Sequence, residues 1–462
     1  MARLFGTDGV RGVANTELTC ELAYRLGQAA VTFMGKAIVV GKDTRLSGDM
    51  LEAAMVAGIT SAGGTALLAG IIPTPAVALL VRELNAAGGA VISASHNPPE
   101  YNGIKLFDAQ GFKLPDEVED RIERFVKAGG LEGVIALTNS EDLGEGVPEA
   151  AMPSGPELGV AVEVEEACEM YIEHAVSSIR SQGMDFTGMT IALDTGHGAS
   201  SLTSPAALRR LGAEVIVIND DFDGNDINVN CGSTHLGPLR ELMEETGADV
   251  GIAHDGDADR VMLMTPEGEE IDGDVVEAVC ALDMKERGLL SGNTAVSTVM
   301  CNLGFVHAMR DHGIDVVQTK VGDRYVLEEM RAKGYAIGGE QSGHMILLEH
   351  NSTGDGLMTA VQFLAAIKRT GKTVSEAVKV MTRFPQTLIN VRVADKHTVS
   401  EKPAVKEAVA AAEAALGEDG RVLLRPSGTE PVVRVMVEAL KKEDADTHAK
   451  AIAAVVEQAG AE

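Results

Sequence analysis

Three aspartates, Asp255, Asp257 and Asp259, alternate in "AHDGDADR" directly after an apolar, strand-like run. Three carboxylates on one tight loop present hard oxygens to a small divalent cation such as Mg²⁺. A calcium loop of the helix–loop–helix kind is excluded, because its sixth and twelfth positions need Gly and Glu and are Arg260 and Pro266 here. Two rivals to a metal site stay open at this point: a solvated acidic turn, and an aspartyl-phosphate nucleophile at Asp255. A second candidate is Ser95, which closes the apolar run of "AVISASHNPPEYNGIKLF", with His96, Asn97 and Lys105 adding donors around it. A serine hydroxyl is a weak nucleophile until a base or metal activates it. Phosphorylated, it would carry acceptor oxygens that a cation could share. Read as structure alone, Ser95 and Asn97 shape a turn closed by prolines.

Two further loops end strand-like runs. In "RPSGTEP", Arg425 flanks the small residues Ser427, Gly428 and Thr429, and Arg434 follows. Small residues expose backbone N–H groups in a concave nest, and arginine grips phosphate with two parallel bonds. In "GGEQSGH", Glu340, Ser342 and His344 bring together a carboxylate, a hydroxyl and an imidazole, a set that suits vicinal sugar hydroxyls. His344 taken alone reads equally as a structural histidine. "FGTDGVRG" and "GKDTRLSG" bring Arg11 and Arg45 near strand ends, where a lone arginine is more often a surface charge than a ligand.

The totals constrain the partners. The formal net charge is −30 over 462 residues, which argues against nucleic acid or an anionic membrane. An anionic substrate would then need local cationic pockets, and the arginines above supply candidates. Five scattered cysteines (Cys20, Cys168, Cys231, Cys280 and Cys301) show neither disulfide-framework nor zinc spacing, so reduced thiols in a cytoplasm are expected. No long apolar run predicts a membrane span, and "MARLFGTDGVRG" lacks the apolar core of a signal peptide.

The elements that must position these residues alternate between Val/Ile-rich strands and amphipathic helices. Three such rounds succeed one another: "AIVVGKDTR", "GGTALLAG" and "GAVISAS"; then "MTIALDTG", "AEVIVIND" and "ADVGIAHDG"; then "NTAVSTV", "IDVVQTKVG" and "YAIGGEQSG". This rhythm predicts three successive doubly wound α/β domains with parallel or mixed sheets, related as a weak structural repeat. From Phe384 the pattern changes to a smaller C-terminal α+β domain with an antiparallel sheet. The boundaries predicted are 1–150, 151–257, 258–375 and 376–462, with a Gly/Pro/Ser/Glu-rich linker over Thr138 to Ala161.

The order of the four loops, one per domain, resembles the α-D-phosphohexomutase superfamily over essentially the whole chain. Its serine loop is matched by Ser95 to Pro98, its metal loop by Asp255 to Arg260, its sugar loop by Gly339 to His344 and its phosphate loop by Arg425 to Pro431. "FGTDGVRG", "NVNCGSTH", "VGDRYV" and Gln341 within "GEQSGH" look like the phosphoglucosamine mutase family, with phosphomannomutase or phosphoglucomutase as the alternative. The resemblance implies a heart-shaped arrangement around a central cleft. It implies Mg²⁺ on Asp255, Asp257, Asp259 and the phosphate of a phosphorylated Ser95. It also implies a sugar phosphate as small-molecule partner, hexose 1,6-bisphosphate as activator and intermediate, and a product feeding UDP-N-acetylglucosamine and cell-wall precursors.

By the same resemblance His96, Lys105, Arg260, His344 and Arg11 serve proton transfer or charge stabilisation. Glu340 and Ser342 would hold the sugar, and Arg425, Ser427, Gly428, Thr429 and Arg434 the phosphate that is not reacting. A homodimer, and a kinase or autophosphorylation to prime Ser95, are further expectations. Two rivals of other classes, an aspartyl-phosphate phosphatase and a non-catalytic sugar-phosphate binder, leave intact loops unexplained. Two departures from the family pattern, "LDTGHGAS" at Leu193 to Ser200 and Ser93 in place of a common Thr, read as local packing away from the site.

Overall fold

A computed structural model describes residues 3–6, 8–137, 152–426 and 431–461. The chain divides into two compact units, one of Met1–Met300 with Asp315–Val378, the other of Cys301–Ile314 with Lys379–Glu462.

The first unit carries three sheets. In the first, β1 (Val10–Val13), β2 (Ala37–Lys42), β3 (Thr65–Ile71), β4 (Gly88–Ile92), β5 (Tyr101–Phe107) and β6 (Ala161–Glu163) lie in the order β1-β5-β4-β2-β3-β6. Its β4-β2-β3-β6 core is parallel; β5 pairs antiparallel with β4, and β1 pairs antiparallel with β5 at the edge. The second sheet, with β7 (Thr190–Asp194), β8 (Glu214–Ile218), β9 (Val250–His254), β10 (Val261–Met264) and β11 (Glu270–Ile271), has the order β11-β10-β9-β7-β8. The third has β12 (Thr294–Thr298), β13 (Asp315–Thr319), β14 (Ile337–Gly339) and β15 (Met345–Leu347) in the order β13-β12-β14-β15. Read from the antiparallel strand inward, β5-β4-β2-β3, β10-β9-β7-β8 and β15-β14-β12-β13 are one topology used three times. The repeat expected from the sequence is therefore present as strand order.

The doubly wound character follows from the residue pattern. Ile38, Val40, Ala90, Ile92, Ile104 and Leu106 share one face with the helices Cys20–Met34, Gly48–Ser61 and Asp116–Lys127. The intervening positions meet the helix Thr74–Glu83 on the other face. Strands covered on both sides must be continuous apolar runs rather than alternating ones, and β2 and β4 are. Local signals set the helix ends: Thr19 accepts from Leu22 N at 3.2 Å, and Thr373 and Glu376 form a reciprocal capping box.

The second unit holds β16 (Gln386–Arg392), β17 (Gly420–Pro426) and β18 (Val432–Ala439) in the order β16-β18-β17, wholly antiparallel. The helices Pro403–Leu416 and Lys442–Ala461 cover it. This is the α+β domain expected. Residues 138–151 of the expected linker lie outside the described residues. The rest passes through a single turn at Gly155–Glu157 into β6. Among the described residues no helix is long and apolar enough to cross a membrane.

Candidate active site

The strand order explains where the loops fall. Ser95 lies between β4 and β5, the aspartates between β9 and β10, and Glu340 to His344 between β14 and β15: each loop turns a parallel strand into its antiparallel neighbour. Open α/β sheets gather ligands at such carboxyl ends.

Ser95 is buried, with a left-handed backbone at φ +54°. Its Oγ donates to Asp255 Oδ2 at 2.6 Å and stands 3.3 Å from His96 Nδ1. The serine and metal loops approach so closely that a Cβ on Gly256 would lie 2.8 Å from Ser95 O, which is why glycine stands there.

The three carboxylates fit a small hard cation. They are buried, and one oxygen of each lies within 4.8 Å of the others. Asp257 Oδ2 accepts from Thr74 Oγ1 at 2.6 Å and Lys105 Nζ at 2.9 Å, while its buried Oδ1 has no protein hydrogen-bond donor. Asp259 Oδ2 accepts from Lys105 at 3.2 Å, and its buried Oδ1 has only the looser ion pairs with His344 Nδ1 at 3.6 Å and Arg260 Nε at 3.7 Å. Asp255 Oδ1 accepts from Arg260 N at 3.2 Å. Burial, then repulsion from Asp259 and Asp257, pushes the Asp255 carboxyl well above the ordinary range. A set of carboxylates that repel one another and keep oxygens in reserve is suited to a dication.

Cations close the site from two sides. Lys105, about 1% exposed, reaches Asp257, Asp259 and, at 3.2 Å, Asp8 Oδ2. Burial alone would lower its pKa, but Asp257, Asp8 and Asp259 outweigh burial and hold the ammonium well above its usual value. Asp259 is likewise pulled well down against burial, by Lys105, then His344 and Arg260. His344 places Nδ1 3.6 Å from Asp259 Oδ1 and Nε2 3.5 Å from Asp323 Oδ2. Gly354 N donates to the same Nε2 at 3.2 Å, so the neutral Nδ1–H tautomer suits Gly354 and the imidazolium suits Asp323. Burial lowers the His344 pKa, but Asp259 and Asp323 raise it more. His96 differs: burial, then the charges of Arg260 and Arg11, push it down to about 4, leaving a neutral imidazole beside Ser95.

Ser95, His96, Lys105, Arg260, His344 and the three aspartates thus converge, and Arg11 joins through its ion pair with Asp8. Glu340 is half-buried and accepts from Gly322 N at 3.1 Å; Ser342 is exposed on the same loop. In the second unit Arg425 and Arg434 face each other across β17 and β18, where like charges repel unless an anion lies between them. Ser427, Gly428 and Thr429 lie outside the described residues.

Sequence reasoning missed Asp8, Thr74, Lys113 and Asp323. Asp8 and Asp323 lay inside quoted motifs, "FGTDGVRG" and "VGDRYV", whereas nothing local marked Thr74. Three readings are corrected. Ser93 does touch the site, since its Oγ accepts from Ser95 N at 2.9 Å. The "LDTGHGAS" stretch does too, because Ala199 N donates to Gly256 O at 2.8 Å. Arg45 is no surface charge, with its side chain fully buried against Asp43.

Comparison with known proteins places this geometry among relatives. Models of the phosphoglucomutase/phosphomannomutase family match residues 2–132 (alpha/beta/alpha domain I), 169–268 (domain II), 272–384 (domain III) and 388–455 (C-terminal domain). The chain is 49% identical to the phosphoglucosamine mutase of Clostridium novyi, covering 99% of both chains. It is 52% identical to that of Moorella thermoacetica, over 96% of this chain and 97% of the other. In fold it is similar to the N-acetylphosphoglucosamine mutase of Aspergillus fumigatus, solved in complex with GlcNAc-6P and magnesium. There the TM-score is 0.66 at 18% identity, over 99% and 96% of the two chains.

Proposed function

Because the chain belongs to the phosphoglucosamine mutases, within the phosphoglucomutase/phosphomannomutase family, we propose that Ser95 carries the phosphate it moves between the 6- and 1-positions of glucosamine phosphate. The chain is an isomerase, a phosphohexomutase. The observation that supports Ser95 as carrier is its Oγ, 2.6 Å from Asp255 Oδ2 at the edge of a buried carboxylate triad.

In this reading the enzyme starts with Ser95 phosphorylated. The C1 hydroxyl of glucosamine 6-phosphate attacks phosphorus, the P–Oγ bond breaks, a P–O1 bond forms, the hydroxyl proton leaves to a base on the enzyme and the departing Ser95 Oγ takes up a proton. The glucosamine 1,6-bisphosphate turns over in place. Ser95 Oγ then attacks the 6-phosphate, its proton passing toward the neutral imidazole of His96 3.3 Å away; the P–O6 bond breaks and O6 takes up a proton as glucosamine 1-phosphate leaves. An added hexose 1,6-bisphosphate restores a chain that has lost its phosphate.

Most of the catalysis of such a transfer is positioning and charge stabilisation. Bound on Asp255, Asp257, Asp259 and the Ser95 phosphate, Mg²⁺ supplies neutralisation of the transferring phosphoryl charge. Lys105, Arg260 and Arg11 bring fixed positive charge to the same place. The neutral imidazole of His96 is placed to accept a proton on the Ser95 side, and His344 to exchange one near Asp259. Glu340 and Ser342 accept and donate to sugar hydroxyls in both orientations of the intermediate. Arg425, Ser427, Gly428, Thr429 and Arg434 bind the phosphate that is not reacting, a role supported by the two facing arginines. The magnesium and sugar phosphate of the Aspergillus complex support the same cation and substrate class here.

The test is phosphorus NMR of glucosamine 6-phosphate with Mg²⁺ and a trace of glucose 1,6-bisphosphate, beside glucose and mannose 6-phosphates. A sugar 1-phosphate growing fastest from glucosamine, and lost in Ser95→Ala, is expected. Near-normal turnover by Ser95→Ala, or release of free phosphate alone, overturns the reading.

A further inference from the structure

We propose that Arg45 and Asn228 form a clamp that aims Ser95, and that both are positioning residues of the transfer. The proposal rests on the reading of Ser95 as phosphate carrier. Serine seldom adopts a left-handed backbone, so the φ of +54° at Ser95 must be imposed by what surrounds it.

What imposes it is a set of buried donors. Arg45 Nη2 donates to Ser95 O at 3.0 Å and to Asn97 O at 2.7 Å, and Nη1 donates to Tyr101 O at 2.9 Å and to Pro98 O. Asn228 Nδ2 reaches the same two carbonyls from the loop that follows β8, Ser95 O at 2.9 Å and Asn97 O at 3.3 Å. On the amide side, Ser95 N donates to Ser93 Oγ at 2.9 Å, and that hydroxyl donates to Asp43 Oδ2 at 2.6 Å. Asp43 Oδ2 also accepts Arg45 Nε at 2.9 Å, which returns the chain of bonds to its start. Both backbone polar groups of Ser95 are therefore held by side chains, one from its own segment and two from other segments of the chain.

The chemistry is that of a brace. Arg45 faces Asp43 with both side chains fully buried, so the pair brings little net charge to the reacting phosphate. Only a planar guanidinium offers donors in so many directions at once; a lysine ammonium in the same place could satisfy a minority of these acceptors. The clamp also accounts for two stretches to which the reaction assigns no chemistry, "GKDTRLSG" and "NVNCGSTH".

The experiment compares Arg45→Lys and Asn228→Gly with the wild-type chain. Glycine keeps the φ of +62° found at Asn228 while removing its carboxamide, and with it the Nδ2 donor. Each protein is loaded with glucose 1,6-bisphosphate, its Ser95 phosphate is counted by intact-mass spectrometry, and kcat and KM are expressed per phosphorylated chain. Misplacement of a reacting group by about 1 Å costs on the order of 100-fold, so kcat should fall by about that factor in Arg45→Lys and less in Asn228→Gly, with KM within about threefold. An unchanged kcat per phosphorylated chain, with only the melting temperature lowered, overturns the clamp. If Arg45→Lys does not fold, Asn228→Gly decides alone. Turnover by a wild-type chain that never carries phosphate overturns the carrier reading itself, and the clamp with it.

Discussion

Lys113 Nζ stands 2.6 Å from Asp8 Oδ1, and through that contact a ring of opposite charges closes around the site. Asp8 pairs with Lys105, Lys105 with Asp259, Asp259 with His344, His344 with Asp323, and Asp323 with Lys113 again. Burial alone would raise the pKa of Asp8, but Lys105, Lys113 and Arg11 hold it well below the carboxylate range. The ring joins the edge of the first sheet to the metal and sugar loops.

Removing one member of a buried ion pair strands its partners, at roughly 3–5 kcal/mol. Lys113→Met should therefore lower the unfolding free energy by about 3 kcal/mol in urea titrations. Adding Asp8→Asn to it should cost less than the sum of the two single changes, since one stranded carboxylate is then neutral. Additive losses in that cycle would mean that the two groups are not coupled.

The aspartate triad predicts opposite effects with and without metal. Asp255 is disfavoured as a charge by burial and by Asp259 and Asp257, so Asp255→Asn should raise the melting temperature of the metal-free protein. The wild type should gain about 2.7 kcal/mol at a Mg²⁺ concentration near 100 times Kd, and Asp255→Asn much less. Thermal melts with EDTA and with Mg²⁺ check both. An equal Mg²⁺ shift in the two proteins would place the cation elsewhere.

The fold was legible because a helix period and a buried strand differ over a dozen residues, and the site because its loops interrupt apolar runs with Gly, Asp and Ser. Strand direction was not legible: "RVMLM" at β10 reads the same whether it runs with or against β9. The partners of buried charges were equally hidden. Lys113 meets Asp323 across 210 residues, and Arg45 takes its bonds from carbonyls 50 to 56 residues away. Local composition marks an arginine as charged; only the tertiary fold decides that it is buried.

The facing arginines of the second unit predict a trade between stability and binding. Burial, then the charge of Arg434 across the two strands, lowers the Arg425 pKa. Arg425→Gln should leave the melting temperature unchanged or raised in phosphate-free buffer. It should abolish most of the shift produced by added glucosamine 6-phosphate and raise KM at least tenfold, since hydrogen bonds to a charged group contribute about 1.5–3 kcal/mol. A normal KM would remove Arg425 from the phosphate site.

Glu277 gives a pH dependence away from the metal ligands. It is fully buried in the helix Gly273–Glu286, and burial, then the charge of Asp274, raises its pKa well above 4.5. The native protein therefore keeps this carboxyl protonated while the unfolded chain ionises it above about pH 4.5. Below that pH both states hold the proton and the group contributes no slope. Above it the unfolded state is favoured increasingly, by about 1.4 kcal/mol per pH unit, until the native group also ionises. Glu277→Gln removes the titration while keeping the shape. Its stability relative to wild type should accordingly rise as pH increases from 4.5 toward 7, and stay level below 4.5. Urea unfolding at half-unit pH steps measures the difference directly, and parallel pH profiles for the two proteins would show that Glu277 is ionised in the native fold.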